Sequence, residues 1–546
     1  MLKLVPLGGL GEIGLNSMVV EHGSDLVMID CGLLFPSVDM PGINAIVPDF
    51  SYLKTHKHKL SAVVLTHAHE DHLGALPTLL EQYRVPVYGT RFTLALAAHK
   101  LDEAGITADL REIGPGADHA LTDAVSVEPF AVAHSTPDAV GLIFRTPDGP
   151  LVHTGDFKLD NDPIDGRRTD LNRLRDLQKE NVLCLLSDST NIESHEETRG
   201  EREVSEAFER ILPTATGKVV VALFASNLIR VQVLIDQFAK LGRRVALQGR
   251  SMNRNIELGA KSGVLRVPDG LLCSMDEARA LPPEKVAILT TGAQAEPRSG
   301  LFQMLSSEGG QLKLAPGDTV IVSARPIPGN ERPVAAMLDA LYLRGAKVIH
   351  AKLEPSIHAS GHASRPQQQR MIEAVRPRHF LPVHGEARHL FQHAQLARET
   401  GVDSDRVLLG YDGDVVCFND GRGSVTGSVA AGRLLLDRWG SGSVAPDAIE
   451  ERLTLADGIV FAVVAVEGGS GRILGGPELT GSGLARDELA LLTLVQDEIR
   501  QALERTSPQL RMDVAFTRDT LRSAVRKSFK QRTGKRPVVV PHVLKL

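Results

Sequence analysis

Cysteine is scarce in this 546-residue chain, and no apolar run in it is long. The four cysteines, Cys31, Cys184, Cys273 and Cys417, lie far apart without a C-x-x-C pair. That suggests neither a disulfide framework nor a zinc ribbon and suits a reducing compartment. Apolar runs such as Ile459 to Val466 fall far short of the ~20 residues that a membrane-spanning helix needs. The opening residues Met1-Leu2-Lys3-Leu4-Val5-Pro6 turn glycine-rich at once and offer no signal-peptide apolar region, so a cytosolic protein without a membrane segment is expected. Internal repeats, low-complexity tracts and disorder-like or fibrous composition are also missing. What is present is ordinary for a globular protein, 42% hydrophobic and 23% charged, in a chain long enough for two or three domains. Net charge is −6, which argues weakly against a polyanionic partner, yet from Arg500 to Leu546 twelve Lys/Arg face three Asp/Glu, a local balance of +9. That segment reads either as a solvated helical face or as a surface that retains nucleic acid.

The first 190 or so residues alternate short apolar runs with helical stretches. Leu26 to Ile29 and Ala62 to Leu65 read as buried strands, and each such run ends in a polar residue: Asp30, His67, His134, Asp156. Strand ends carrying polar groups are where α/β folds place their sites. A second α/β stretch begins near Glu201, with strand-like Val219 to Phe224, helical Leu228 to Leu241, and strand-like Val245, Ala287 and Thr319 segments. Beyond Lys347-Val348-Ile349 further histidines appear, up to Phe380-Leu381-Pro382-Val383-His384. A glycine-rich stretch, Gly421 to Gly442, leads to a last segment with a strand-like Gly458 to Val466 and a helical Asp487 to Arg505.

Gly9-Leu10-Gly11-Glu12-Ile13-Gly14 fits the dinucleotide fingerprint G-x-G-x-x-G, with Asp30 near the ribose-binding position. The context fails, because that fingerprint must open a helix whereas Ser17 to Glu21 is strand-like and His22 to Asp25 is a hairpin turn. The glycines read better as a loop at the rim of a site. The strong signal is His67-Ala68-His69-Glu70-Asp71-His72, directly after a buried strand. Three histidines and an aspartate crowded into six residues are costly to hold together without a metal, and neutral imidazole with carboxylate suits zinc or manganese. His67 and His69 can face one ion while Asp71 and His72 turn toward a second, with a helix following from Leu73. Thr55-His56-Lys57-His58-Lys59 has no acid and reads as surface.

H-x-H-x-D-H at a strand end resembles the signature of the metallo-β-lactamase superfamily, and that fold's other ligand positions have matches in Ala133-His134-Ser135-Thr136-Pro137-Asp138 and Thr154-Gly155-Asp156-Phe157-Lys158. The resemblance implies that His67, His69 and His134 hold one ion, that Asp71, His72 and a late histidine hold another, and that Asp156 bridges them. Asp30 is then an acid that orients ligand histidines. Small-molecule members would be about half this long. Here a stretch from about Glu201 to Ile349 separates those residues from the later histidines, which resembles the β-CASP nucleases, whose second α/β domain is inserted into the lactamase domain. Matches to that group are Asp188 in Ser187-Asp188-Ser189-Thr190-Asn191, His362 in His358-Ala359-Ser360-Gly361-His362, and His384 in Leu381-Pro382-Val383-His384-Gly385-Glu386, the last implied to be the missing ligand of the second ion. Within the group the chain is similar to the ribonuclease J family through Phe224-Ala225-Ser226-Asn227-Leu228-Ile229-Arg230, Gly249-Arg250-Ser251-Met252, Thr291-Gly292-Ala293-Gln294-Ala295-Glu296-Pro297 and Ile327-Pro328-Gly329-Asn330-Glu331. One departure is Ala295, where a glycine is usual.

The fold implied is α/β: a metallo-β-lactamase αββα sandwich (1–200 and 351–440) with an inserted α/β β-CASP domain (201–350), a linker (441–455) and a small C-terminal α/β domain (456–546). The implied activity is 5′-to-3′ exonuclease and endonuclease cleavage of single-stranded RNA, with preference for a 5′-monophosphate end, in RNA decay and in rRNA and mRNA processing. Two divalent ions per subunit, zinc before manganese, would lower the pKa of water between them and clamp the oxygens of an in-line displacement. Asp71 is placed to take up the proton of the nucleophile, and His362 to protonate the departing oxygen or stabilise the phosphorane. The small, glycine-containing run His358, Ala359, Ser360, Gly361, His362 can present backbone N–H groups to an anion, and Ser226, Asn227 and Arg230 are expected to add contacts across an inter-domain channel for single-stranded RNA. A homodimer or higher homo-oligomer, with other RNA-decay proteins as further partners, is also implied. The alternatives are a DNA-directed β-CASP nuclease, a small-molecule hydrolase and an inactive RNA-binding scaffold.

Overall fold

The computed structural model describes residues 1–37, 39–55, 60–297, 299–305, 313–327, 329–437 and 443–546, without the side chain of Thr55. The surface reading of His56 to Lys59, Pro328 in the Ile327–Glu331 stretch and the end of the glycine-rich stretch at 438–442 lie outside the described residues. The chain divides into two compact units, 1–34 with 47–433, and 35–46 with 434–546.

In the first unit, runs such as 62–65 (Ala-Val-Val-Leu) and 182–186 (Val-Leu-Cys-Leu-Leu) are apolar at consecutive positions because their sheets are covered on both faces. One sheet has eight strands in the order Arg422–Ser428, Asp414–Asn419, Leu2–Gly8, Ser17–His22, Asp25–Ile29, Leu60–Val64, Val87–Gly89, Leu110–Glu112. The other has six: His379–Val383, Cys184–Asp188, Gly149–His153, Val140–Thr146, Ser126–Ala131, His119–Ala120. Leu4, Val20, Val27 and Val64 of the first meet Val127, Leu142, Leu186 and Leu381 of the second in one core. The alternate residues Ile143, Val152 and Leu185 pack outward against Leu174, Met371 and Ala394 on flanking helices. This is the αββα sandwich. The strand pairs that carry the later site residues, Gly149–His153 with Cys184–Asp188 and Cys184–Asp188 with His379–Val383, are parallel, so their C-terminal ends lie side by side.

The inserted segment forms a six-stranded parallel sheet in the order Leu272–Cys273, Arg244–Gln248, Val286–Thr290, Val219–Ala222, Thr319–Val322, Lys347–His350. Its core joins Val220, Ile288 and Val320 to Leu301, Met337 and Leu341 on its helices. Ala295 lies in a loop of this domain and holds a left-handed backbone, φ 59°, despite its side chain. Gly9, Gly11 and Gly14 also take positive φ and open no helix; the chain passes through the short strand Leu10–Gly11 and into Ser17–His22.

In the second unit, the strands Ile473–Ser482, Ile459–Val466 and Val538–Lys545 form a sheet whose Val460, Ala462 and Val464 pack against Val495 and Ile499 of helix Arg486–Glu504 and Leu521 and Val525 of helix Val514–Thr533. The expected linker over 441–455 is corrected here. Pro446–Thr454 is a helix of this unit, started by a proline whose fixed φ suits a first turn and anchored by buried Ile449.

Candidate metal centre

The strand Leu60–Val64 delivers Leu65, Thr66 and His67 to its C-terminal end, and the chain then turns directly into a short helix, Glu70–Leu73. Asp71 and His72 therefore stand on a helical turn, earlier than the helix expected from Leu73. His134 follows the strand Ser126–Ala131, Asp156 follows Gly149–His153, Asp188 ends Cys184–Asp188, and His384 follows His379–Val383. These ends converge into three overlapping groups that share Asp156: one with His67, His69 and His134, a second with Asp71, His72 and His384, and a third with Asp188, His362 and His384.

In the first group His67 Nε2 and His134 Nε2 each lie 3.1 Å from His69 Nδ1. Asp156 Oδ2 stands 3.5 Å from His67 Nε2 and 3.7 Å from His134 Nε2. Four donors bonded to zinc at 2.0–2.1 Å sit at the corners of a tetrahedron with edges of about 3.3 Å, so this spacing fits an ion of that size. The second group is Asp71, His72, His384 and the same Asp156. His72 Nε2 is 3.3 Å from Asp156 Oδ2 and 3.7 Å from Asp71 Oδ2, and His384 Nε2 is 3.5 Å from Asp71 Oδ2. Asp156 Oδ2 and His384 Nε2 are buried without a hydrogen-bond partner among the described residues. Leaving such atoms unpaired is costly, and both face the centre a cation would fill.

Supporting contacts set the tautomers. Asp30 accepts from Thr66 N and Thr66 Oγ1, each at 2.8 Å, and from His72 Nδ1 at 2.7 Å. With its proton given to Asp30, the Thr66 hydroxyl accepts from His67 Nδ1 at 3.0 Å. His134 Nδ1 donates to the Gly361 carbonyl at 2.8 Å. The rings of His67, His72 and His134 therefore turn Nε2 to the centre, whereas His69 turns Nδ1. Burial holds His67, His69 and His134 below the ordinary histidine range. Burial also opposes charge on His72 and His384, but carboxylates outweigh it: Asp156, Asp30 and Asp71 raise His72, and Asp156 and Asp71 push His384 up to about 10. The centre is built to hold positive charge.

His362 Nδ1 donates to Asp188 Oδ2 at 2.9 Å, and its ring stands 5.3 Å from that of His134. Burial is again outweighed, by Asp188 and Asp156, so His362 titrates above the usual histidine range. Its loop is fastened by carbonyls: Ile357 O accepts from Ser323 Oγ, Ala359 O from Arg230 Nη2, Gly361 O from His134, and His362 O from Thr198 Oγ1 and Asn191 Nδ2. The N–H groups of His358, Ala359, Ser360 and Gly361 have no intrachain partner among the described residues.

The structure corrects the channel contacts expected of Arg230 and Asn227. Arg230 is 1% exposed, with Nε and Nη2 on Glu201 at 3.1 and 2.6 Å and Nη1 on the Ser323 carbonyl at 2.9 Å. Asn227 is 4% exposed and caps helix Leu228–Lys240, accepting from Arg230 N at 3.0 Å. Neither reaches a strand passing outside. Ser226 is partly exposed, as are His358, Ser360 and Gly361, whereas Ala359 is buried. Burial and the Arg230 guanidinium push His358 down to about 3, so it is a neutral imidazole. Sequence reasoning overlooked Thr66, and also Asn16, whose Nδ2 donates to the Asp71 carbonyl at 3.1 Å and stands 3.0 Å from His72 Nε2. Asn16 lies two residues after Gly14, the last residue of the glycine-rich loop placed at the rim of the site, and that proximity was its only signal.

Fold and site together define a metallo-β-lactamase-type hydrolase with a β-CASP insertion. Family models match accordingly: "Metallo-beta-lactamase superfamily" over 10–190, "Ribonuclease J, beta-CASP domain" over 216–341, "Zn-dependent metallo-hydrolase RNA specificity domain" over 348–407 and "Ribonuclease J C-terminal domain" over 447–546. The chain is 39% identical over 548 residues to a ribonuclease J of Mycobacterium tuberculosis, covering 100% of this chain and 97% of that one. It is 36% identical over 553 residues to a ribonuclease J of Thermus thermophilus, covering 100% and 95%. A crystal structure of a protein of unknown function from Enterococcus faecalis aligns with TM-score 0.54 at 16% identity, over 76% of this chain and 99% of that one, a likeness of fold alone. The chain belongs to the ribonuclease J family, and with it to the metal-dependent nucleases.

Proposed function

We propose that this protein degrades single-stranded RNA from a 5′-monophosphate end in the 5′-to-3′ direction, releasing mononucleotides, and also cuts internally at a slower rate. The observation that carries this reading is the loop 358–362, whose carbonyls at Ala359, Gly361 and His362 are tied into the protein while the N–H groups of 358–361 have no partner among the described residues, beside His134 and His362. Unpaired backbone N–H groups can receive an anion, and a terminal phosphate held there would lay the first phosphodiester toward the metal groups. Charge-assisted hydrogen bonds are roughly twice as strong as neutral ones, so a hydroxyl end binds less well, and a triphosphate brings two further groups to accommodate.

In this reading His67, His69 and His134 hold one divalent ion, and Asp71, His72 and His384 a second, with Asp156 between them; zinc suits the nitrogen-rich first group best, with manganese the alternative. When bound, such a pair activates water at neutral pH and offsets the negative charge of the scissile phosphate. Asp71, 32% exposed at its side chain, receives the nucleophile's proton. His362 keeps Nδ1 on Asp188 and so presents Nε2–H to the departing 3′ oxygen. Asp188 orients His362 as Asp30 orients His72. Ser226, with Ser360, borders the path of the strand.

The reading extends to a cytosolic homodimer that pairs through the second unit, whose basic surface would retain RNA. No helix among the described residues is long and apolar enough to cross a membrane. The test is digestion of RNA labelled at either end and carrying a 5′-monophosphate, triphosphate or hydroxyl, beside a matched DNA strand, with zinc, manganese or magnesium added. Mononucleotides released from the monophosphate end are expected. Release from the 3′ end, or equal rates for the three 5′ ends, would refute it.

A further inference from the structure

We infer that the buried Glu201–Arg230 ion pair positions the loop 358–362 for the reaction, although neither side chain touches the substrate. The inference rests on the phosphate reading of that loop. Glu201 opens helix Glu201–Ile211, where the chain enters the insertion; Arg230 lies in the first turn of helix Leu228–Lys240; Ser323 follows the strand Thr319–Val322. These separate segments meet at one guanidinium. Arg230 gives Nε and Nη2 to the two carboxylate oxygens of Glu201, gives Nη1 to the Ser323 carbonyl, and turns a further Nη2 proton to the Ala359 carbonyl at 3.1 Å. Ser323 Oγ donates to the Ile357 carbonyl at 2.6 Å. The loop is thus held at Ile357 and Ala359 by the insertion, and at Gly361 and His362 by His134, Thr198 and Asn191 of the lactamase part.

The chemistry of the pair favours a positioning role over a merely stabilising one. A buried ion pair is weak evidence of net stability, since desolvation offsets most of its attraction. A guanidinium, however, can satisfy a carboxylate and two carbonyls at once in fixed directions, which an ammonium on a flexible stem cannot. With Ala359 O drawn toward Arg230, the N–H groups on either side of it are left for an anion. Ala359 is also two residues from Gly361, whose carbonyl sets the tautomer of His134. Loss of the fork therefore loosens the anion site before it disturbs the metal groups.

Arg230→Lys keeps a cation beside Glu201 and removes the fork; Ser323→Ala removes the neighbouring anchor on Ile357 and leaves the ion pair intact. Both full-length variants are compared with the parent in kcat and KM on 5′-monophosphate RNA, in the rate ratio of monophosphate to hydroxyl ends, in hydrolysis of bis-p-nitrophenyl phosphate, and in bound metal and melting temperature. For Arg230→Lys, KM is expected to rise about tenfold and the end ratio to fall by a similar factor, with bound metal retained. Ser323→Ala is expected to move the same two quantities in the same direction by less. Unchanged KM and end ratio in both variants would overturn the inference. So would a parallel loss of every activity and of metal in step with melting temperature, which marks a role in folding alone. A parent enzyme that does not distinguish the 5′ ends overturns the phosphate reading, and this inference with it.

Discussion

A methyl group at position 361 is a sharp probe of the centre. A Cβ built on Gly361 lies 2.7 Å from His134 Cε1, 3.0 Å from His134 Nδ1 and 3.0 Å from Ser135 Oγ. Carbon atoms rest at about 3.5–4.0 Å, so in Gly361→Ala the imidazole must retreat by about 0.8 Å or the loop must rise by as much. Either motion stretches the hydrogen bond from His134 Nδ1 to the Gly361 carbonyl, now 2.8 Å. Metal–ligand distances tolerate about 0.2 Å, so on the proposed assignment His134 would lose its place among the residues that would hold the ion. Gly361 is outside the left-handed region, which leaves the contact itself as the cause of the effect. Overpacking of this kind costs about 1–3 kcal/mol, and at about 1.4 kcal/mol per tenfold the ion of His67, His69 and His134 should bind roughly 5- to 150-fold more weakly. The assay is equilibrium dialysis against a chelator with metal counted per subunit by mass spectrometry, alongside RNA cleavage at saturating metal. Two ions retained at the parent's affinity would refute the packing argument and the ligand role of His134 together.

His384→Ala removes a ring whose Nε2 is buried and unpartnered; it should release the ion of the second group, keep the first, and lower diester cleavage by more than about a hundredfold, beyond the range of indirect partners, with the circular dichroism spectrum unchanged. Retention of both ions would show that the second group is misassigned. Burial, and the Glu12 carboxylate beside it, push Asp412 up to about 7, while its Oδ1 accepts from Leu10 N at 2.9 Å. A carboxyl that holds its proton in the fold and has lost it in the unfolded chain makes stability fall as pH rises from about 4 to about 7. Asp412→Asn should therefore gain in melting temperature over the parent across that window and keep a constant lead above it; a lead independent of pH would refute the assignment. Ala295→Gly relieves a left-handed backbone at φ 59°, a strain of about 1–2 kcal/mol offset by about 0.4–1 kcal/mol of unfolded-chain entropy, so denaturant unfolding should show a net gain of about 0.5–1 kcal/mol. A loss would mean that the Ala295 methyl contributes more by packing than its backbone costs.

The sequence by itself determined the parts of this protein whose physics is local. Consecutive apolar residues before His67 dictate a strand buried on both faces, and crowding three histidines and an aspartate into the next six residues suits a cation. The parallel sheet of the insertion is legible in the same way, from apolar runs alternating with helical periods. Tertiary structure decided what depends on groups far apart in the chain. It chose the Gly361 carbonyl as the partner of His134, 227 residues away, because the segment after strand Ser126–Ala131 and the loop 358–362 meet there. It turned Arg230 inward: an arginine in a first helical turn carries no sign of its burial until Glu201 and Ser323 are brought beside it. It also drew residues 35–46 into the second unit and made a helix of Pro446–Thr454. Hydrogen-bond direction and burial belong to the assembled fold, since an isolated side chain has neither until its neighbours exclude water from it.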